Sequence, residues 1–301
     1  MIESVEGYLE NLRKELAGSD PAIIQDALSD AEEHLRNALE QVPGSDGERS
    51  EAEALISIIE KYGPPEEIAA AYQEIAMLTQ PALAKRRPTV EKTSINRFFS
   101  IISDARAWGA LLYLILSMIT GLVYFTWAIT GLSLSLSLLV LIIGLPFTVL
   151  FLLSVRSIAL VEGRIVEALL GVRMPRRPLF TSREAGWWEQ VKGLLLESRT
   201  WTTVVYMILQ LPLGVFYFTI FVCLIAISLS FMASPILELI FEQPLIHFGA
   251  EAYHIAPWLM PLIVTGGFFL LLASMHLAKF IGRTHGALAK ALLVGASRSS
   301  S

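Results

Sequence analysis

Ala107–Val155 runs for 49 residues without a charged side chain, between Arg106 and Arg156. A helix crossing a bilayer needs about 20 apolar residues at about 1.5 Å each, so the run is too long for one crossing and fits two. A water-soluble helix would present a polar face within a few turns, and none appears. The pattern predicts a helical hairpin in a bilayer, with crossings over 107–129 and 133–155 and a turn at Thr130-Gly131-Leu132-Ser133. Trp108 and Trp127 lie 19 residues apart, about 28 Å along a helix, which suits a pair of interfacial anchors. A second apolar hairpin follows, with crossings over 201–224 and 257–279 and apolar residues continuing past the first of these to Leu237.

Residues 1–80 are patterned differently. Val5, Tyr8, Leu9, Leu12 and Leu16 recur at helical spacing. Asp20-Pro21 supplies an N-cap and a first-turn proline to a second helix whose stripe holds Ile24, Ala27, Leu28, Ala31, Leu35 and Leu39. Ser50-Glu51-Ala52-Glu53 is a capping box. The third helix presents Leu55, Ile56, Ile59 and Tyr62 and stops at Gly63-Pro64-Pro65. A fourth, from about Glu66 to Met77, turns Ile68, Tyr72 and Ile75 inward. Four single-stripe helices are expected to close one small bundle. The fold class is therefore all-α, a helical head (1–80), a basic linker (81–94) and a four-crossing membrane body (95–295).

Charge sharpens this division. Residues 1–80 carry 5 Lys/Arg against 18 Asp/Glu, while 81–301 carry 18 against 10. The overall net of −5 hides an acidic head on a basic body. Lys85-Arg86-Arg87 in the linker suits anionic headgroups, and Ile95, Phe98, Phe99 and Ile102 form an amphipathic lead-in to the first crossing. Residues 81–106, 156–199 and the tail are rich in Lys/Arg, whereas 238–256 have none. Basic segments stay in the cytoplasm, so both termini are expected inside the cytoplasmic membrane and 238–256 outside. Trp187, Trp188, Val191, Leu194 and Leu195 are expected to lie on the inner leaflet. No apolar segment opens the chain, so no cleavable signal peptide is expected. The single cysteine, Cys223, reads as a small buried hydrophobe.

The body also matches itself. At a shift of 93, Asp104-x-Arg106-x-Trp108 falls on Glu197-x-Arg199-x-Trp201, Tyr113 on Tyr206, Gly121 on Gly214 and Tyr124-Phe125-Thr126 on Tyr217-Phe218-Thr219. At a shift of 119, Gly163-Arg164 falls on Gly282-Arg283. Two parallel hairpin repeats are expected, the second carrying an insertion of 26 residues near 232–258.

Candidate chemistry is sparse. The head lacks a phosphate loop or catalytic constellation, and its acidity opposes direct nucleic-acid contact. The chain shows no nucleophile–base motif and no His-Glu-x-x-His, so a non-enzymatic role is expected. The predicted crossings hold no Asp, Glu, Lys or Arg inside, which argues against a pump or secondary transporter. Tyr113, Tyr124, Tyr206 and Tyr217 read as packing or pocket-lining residues, and Gly121 and Gly214 as points of close helix contact. His276 and His285 receive no role. His247, Glu251 and His254 fall at i, i+4 and i+7, one face of a helix, and form a candidate Zn²⁺ set; the competing reading is an amphipathic surface helix. No other cofactor is expected. Asp26, Asp30 and Glu33, with Asn37 and Glu40, lie opposite the second helix's apolar stripe. They read as one exposed acidic ridge, either a solvated face or the docking surface for a partner with a basic patch.

Two resemblances give this layout a meaning. Tyr8-Leu9 with Leu12, Asp30-Ala31-Glu32-Glu33-His34-Leu35, Glu51-Ala52 and Gly63-Pro64-Pro65-Glu66-Glu67-Ile68-Ala69 resemble the HAAS domain, an α-helical signalling module of prokaryotes associated with PadR-type transcription regulators. Arg106-x-Trp108, Thr130-Gly131-Leu132-Ser133-Leu134-Ser135, Gly144-Leu145-Pro146 and Leu169-Leu170-Gly171-Val172 resemble the four-helix transmembrane sensor domain found ahead of bacterial histidine kinases. The resemblances imply a membrane sensor and signal transducer. No kinase follows here, so output is expected to pass through the head to a cytosolic PadR-type regulator, with membrane lipids and that regulator as partners and self-association left open. The alternative is an accessory or permease-like subunit of an efflux system.

Overall fold

The computed structural model describes residues 4–41, 48–84, 94–138, 140, 144–176, 195–241, 246–248, 251–254 and 256–294. Lys85-Arg86-Arg87 and Trp187, Trp188, Val191 and Leu194 lie outside them.

The head is formed by α1 (Val5–Glu15), α2 (Pro21–Glu40), α3 (Glu48–Tyr62) and α4 (Pro65–Leu78). Asp20 caps α2, its Oδ1 accepting from the Ala22 amide at 2.9 Å with Pro21 in the first turn. Tyr8, Leu12, Leu16, Ala27, Leu35 and Leu55 fill the core. The stripes read from sequence meet there, because each helix has only one apolar side to bury. Gly63 ends α3 with φ +116°, a left-handed conformation that favours glycine, and its carbonyl accepts from the buried Tyr8 hydroxyl at 2.8 Å. Two residues read onto the stripes depart from their expected positions: Ile56 of α3 is exposed, and so is Ile75 of α4. Ile75 stands with the exposed Met77 and Leu78 on the last turn of α4, where Arg173 of the body reaches the Ala76 carbonyl.

A short helix α5 (Ser94–Phe99) and a 3-10 turn (Ser100–Ser103) lead into the body. Four helices there are long and apolar enough to cross a membrane: α6 (Ala105–Leu138), α7 (Gly144–Leu170), α8 (Ser198–Phe241) and α9 (Met260–Leu293). The structure corrects the sequence reading in three places. α6 runs straight through the turn expected at Thr130–Ser133. An open backbone group has no water to bond in an apolar layer, so the helix is favoured over a turn, and Gly131 is closed over by the Phe151 ring, which a Cβ there would strike. α7 continues past Val155 to Leu170, carrying Arg156 and Glu162 within it. It ends at Gly171, φ +67°, whose missing Cβ lets the linker carbonyl of Leu83 lie against it. Third, the predicted helix through 247–254 is an antiparallel β-hairpin, Ile246–Phe248 paired with Glu251–Tyr253.

The hairpins interlock. α6 packs on α8 where Gly121 abuts the Gln210 carbonyl and Gly214 abuts the Ser117 carbonyl; a Cβ at either would fall 2.6 or 2.3 Å from that oxygen. Such backbone approach is available only to glycine. Asp104, ahead of α6, pairs with Lys279 on α9, and Glu197, ahead of α8, pairs with Arg156 on α7. Each hairpin is thus tied to the other by an acid at the start of its first helix. The indoles of Trp108 and Trp201 donate to the Ile102 and Leu195 carbonyls at 2.8 and 2.7 Å. Both indoles stay about half exposed at the ends of α6 and α8 nearest the head.

Candidate functional site

All four body helices contribute to one buried polar cluster. Glu162 of α7, 1% exposed, lies at its centre. Its Oε1 accepts from Tyr113 of α6 at 2.6 Å and from Tyr206 of α8 at 2.7 Å. Its Oε2 accepts from Tyr124 of α6 at 2.9 Å. His285 of α9, also 1% exposed, places Nε2 2.8 Å from the Tyr113 hydroxyl and Nδ1 3.4 Å from that of Tyr217. Gln210 donates to the Tyr113 oxygen at 3.4 Å.

Proton accounting fixes the roles. A phenol has one proton, and those of Tyr113, Tyr206 and Tyr124 go to the carboxylate. The Tyr113 oxygen then accepts, so His285 carries its proton on Nε2 and offers Nδ1 to Tyr217. This is one self-consistent network around a single carboxylate. Burying that carboxylate is tolerable because both its oxygens are bonded. One oxygen remains over: Gln210 Oε1 is buried with no partner among the described residues. The cluster links helices by directional bonds that are either made or broken, the property required of a two-state element.

The cluster also connects outward to the head. Glu162 and His285 belong to α7 and α9, and α2 is held by α9 and by the segment that follows α7. Beyond the end of α7, the Arg176 amide donates to Asp26 Oδ1 at 2.6 Å. Five residues after His285, Lys290 reaches Asp20 Oδ2 at 2.5 Å. Met174, buried between these points, packs against Gly163.

These contacts change the reading of the head's acidic residues. Asp26, Asp30 and Glu33 do not form an exposed ridge. Asp26 is 8% exposed and bonded to the body, and Asp30 accepts from the Tyr72 hydroxyl at 2.5 Å. Ile23, Asp26 and Ser29 lie off the sequence-read stripe of α2 and are buried as well. The expectation of uncharged crossings is likewise corrected by Glu162. Arg156 reads as the end of the crossing in the sequence, yet the apolar spacing continues beyond it through Ile158, Ile165 and Leu169. Four tyrosines in apolar helices, each needing a partner for its hydroxyl, were the available signal.

His247, Glu251 and His254 do not share a helix face, since the register sets His247 opposite Ala252 and Glu251 opposite Phe248. His254 instead places Nδ1 3.0 Å from Glu238 on α8. Among the described residues, no group of three or more His, Cys, Asp or Glu side chains is placed to hold a metal ion. Cys223 is exposed on α8 rather than buried.

No curated protein and no solved structure matches the chain. A family model described as "Putative sensor" matches residues 113–293, which take in the whole cluster from Tyr113 to His285. That match covers well over half of the chain, which therefore belongs to the Putative sensor family.

Proposed function

We propose that the chain is a multi-pass membrane signal transducer whose body controls the availability of its N-terminal head to a cytosolic regulator. The observation that carries this reading is that α9 and the segment directly after α7, which continue from the helices supplying His285 and Glu162, hold α2 through Lys290–Asp20 and Arg176–Asp26. A change in how α7 and α9 pack moves the groups that retain the head.

The head is read as a HAAS-type module and its target as a PadR-type transcription regulator. Support for this is the residue resemblance, the closed helical bundle and the acidic α2. Asp26 is engaged by the body in the docked state, so the regulator and the body compete for α2. The chain is oriented with both ends in the cytoplasm, a reading supported by the Lys/Arg distribution.

The test is co-purification of a PadR-type regulator from the same genome with the full-length protein in nanodiscs. Capture should rise when the Asp20–Lys290 contact is removed by Lys290→Gln, and fall when Asp26, Asp30 and Glu33 are all changed to Lys. Absence of capture by every form would overturn the reading.

A further inference from the structure

Where head and body meet, a crevice opens between α7, the start of α8 and α2. It has a volume of about 50 Å³ and is lined by Gln25, Arg156, Leu160, Glu197, Arg199 and Thr203, among others. Its charge is unbalanced. Glu197, the only carboxylate among the lining residues, attracts Arg199 but is already bonded to Arg156, while Arg156 and, from α1, Arg13 repel it. Arg199 itself is half-buried, and among the described residues no ion pair holds it. Two guanidinium groups against one carboxylate in the lining, with Arg13 nearby, leave a net positive site in a partly desolvated place. Such an arrangement is unfavourable until an anion enters it.

Position narrows the class of anion. The crevice lies two residues before Trp201, whose half-exposed indole marks the head-side end of the apolar span. Below it the helices are apolar and face outward. Above it is the acidic head, which repels free anions. Lipid phosphates lie at this level, and basic pockets between helices on the cytoplasmic side suit them. The amides at the start of α8 add the favourable end of a helix dipole. By volume the crevice takes one small oxyanion group, since a single water needs about 10–15 Å³ of such space, and acyl chains would stay outside.

We infer that Arg199, with Arg156, forms a binding site for a phosphate group, and that its occupant is the headgroup of an anionic phospholipid. The inference extends the transducer reading by giving it a ligand at the joint between body and head. Gln25 of α2 lines the same crevice, so an occupied site bears directly on docking.

The test is native mass spectrometry of the full chain in micelles doped with phosphatidylglycerol or phosphatidylcholine, with and without inorganic phosphate. Phosphatidylglycerol should be retained in preference to phosphatidylcholine. Arg199→Gln should weaken that retention about tenfold or more, as expected for a lost charge-assisted contact, and Arg199→Lys should keep most of it. Displacement by inorganic phosphate, without a preference between the lipids, assigns the phosphate site to a free anion rather than a headgroup. Equal affinity in Arg199→Gln, or equal retention of the two lipids without displacement by phosphate, overturns the site. Should Arg199→Gln fail to fold, a photoactivatable phosphatidylglycerol on the unmodified chain decides. Adducts on 156–160 or 197–203 support the site, and adducts only elsewhere contradict it. Neither measurement involves a regulator, so failure here leaves the capture experiment standing, and the converse holds.

Discussion

The phenolic oxygens of Tyr113 and Tyr206 lie 3.2 Å apart. These residues are 93 positions apart on α6 and α8, and both hydroxyls donate to the same Glu162 oxygen. A carboxylate on a third helix therefore closes the crossing that Gly121 and Gly214 open. Replacing Glu162 by Gln removes one acceptor oxygen and supplies donors where the tyrosines also donate. Glu162→Gln should lower the melting temperature in detergent more than Tyr124→Phe does. In a double-mutant cycle, Glu162→Gln and Tyr113→Phe should couple by about 1 kcal/mol or more, because they act on one network. Additive effects would mean that the bonds are incidental.

The α6–α8 contact makes a steric prediction. Gly121→Ala and Gly214→Ala each drive a Cβ into a backbone carbonyl, whereas a Cβ at Gly266 meets nothing within 4 Å. The first two should each cost about 2 kcal/mol or more and the third should come close to the ordinary helix gain of alanine over glycine. Thermal melting of the three variants side by side checks this. Equal behaviour would contradict the backbone contact.

Asp104 makes a pH prediction. Burial pushes its carboxyl up, but the Lys279 hydrogen bond, the Arg106 amide and both positive charges outweigh burial and hold it below the ordinary range. A carboxyl depressed in the folded state stabilises at pH values above its unfolded pKa, about 3.9, and that contribution is lost as pH falls through the folded value. Asp104→Asn should therefore be less stable than the parent at pH 6, with the difference closing below about pH 4. A difference that persists undiminished at pH 3 would show that it does not come from the ionised carboxylate.

Much of this was legible in the sequence. The apolar runs announced four membrane-capable helices because nothing else tolerates such composition, and the single stripes of the head gave its core. Gly121 and Gly214 were readable as close-contact points. Long-range polar pairing was not readable. The spacing of His247, Glu251 and His254 fits a helix, yet the chain there pairs as two strands, a choice made by tertiary context that periodicity does not carry. Asp26 looked solvent-facing because it lies off the apolar stripe of α2. It is buried because a second partner, the body, covers that side. One sequence pattern cannot distinguish a solvated polar face from one that docks on its own chain.

The docking contact yields a further expectation. With Asp20 and Asp26 both engaged, Asp26→Lys should release the head without unfolding it. Limited proteolysis within 79–94 should accelerate, while circular dichroism stays helical. Unchanged cleavage would mean that the Arg176–Asp26 bond does not hold the head.

The most direct test of the central claim is a distance measurement between head and body. Spin labels at Asn37→Cys and Leu136→Cys, both exposed in the native chain, in a Cys223→Ser background and in nanodiscs, report whether the head is docked. The account predicts one narrow distance distribution in the parent, and a second, longer population when Glu162→Gln breaks the cluster, although the substitution touches neither the labels nor α2. A distribution unchanged by Glu162→Gln, with the cluster shown to be weakened by its melting temperature, would contradict the coupling of the buried carboxylate to the head.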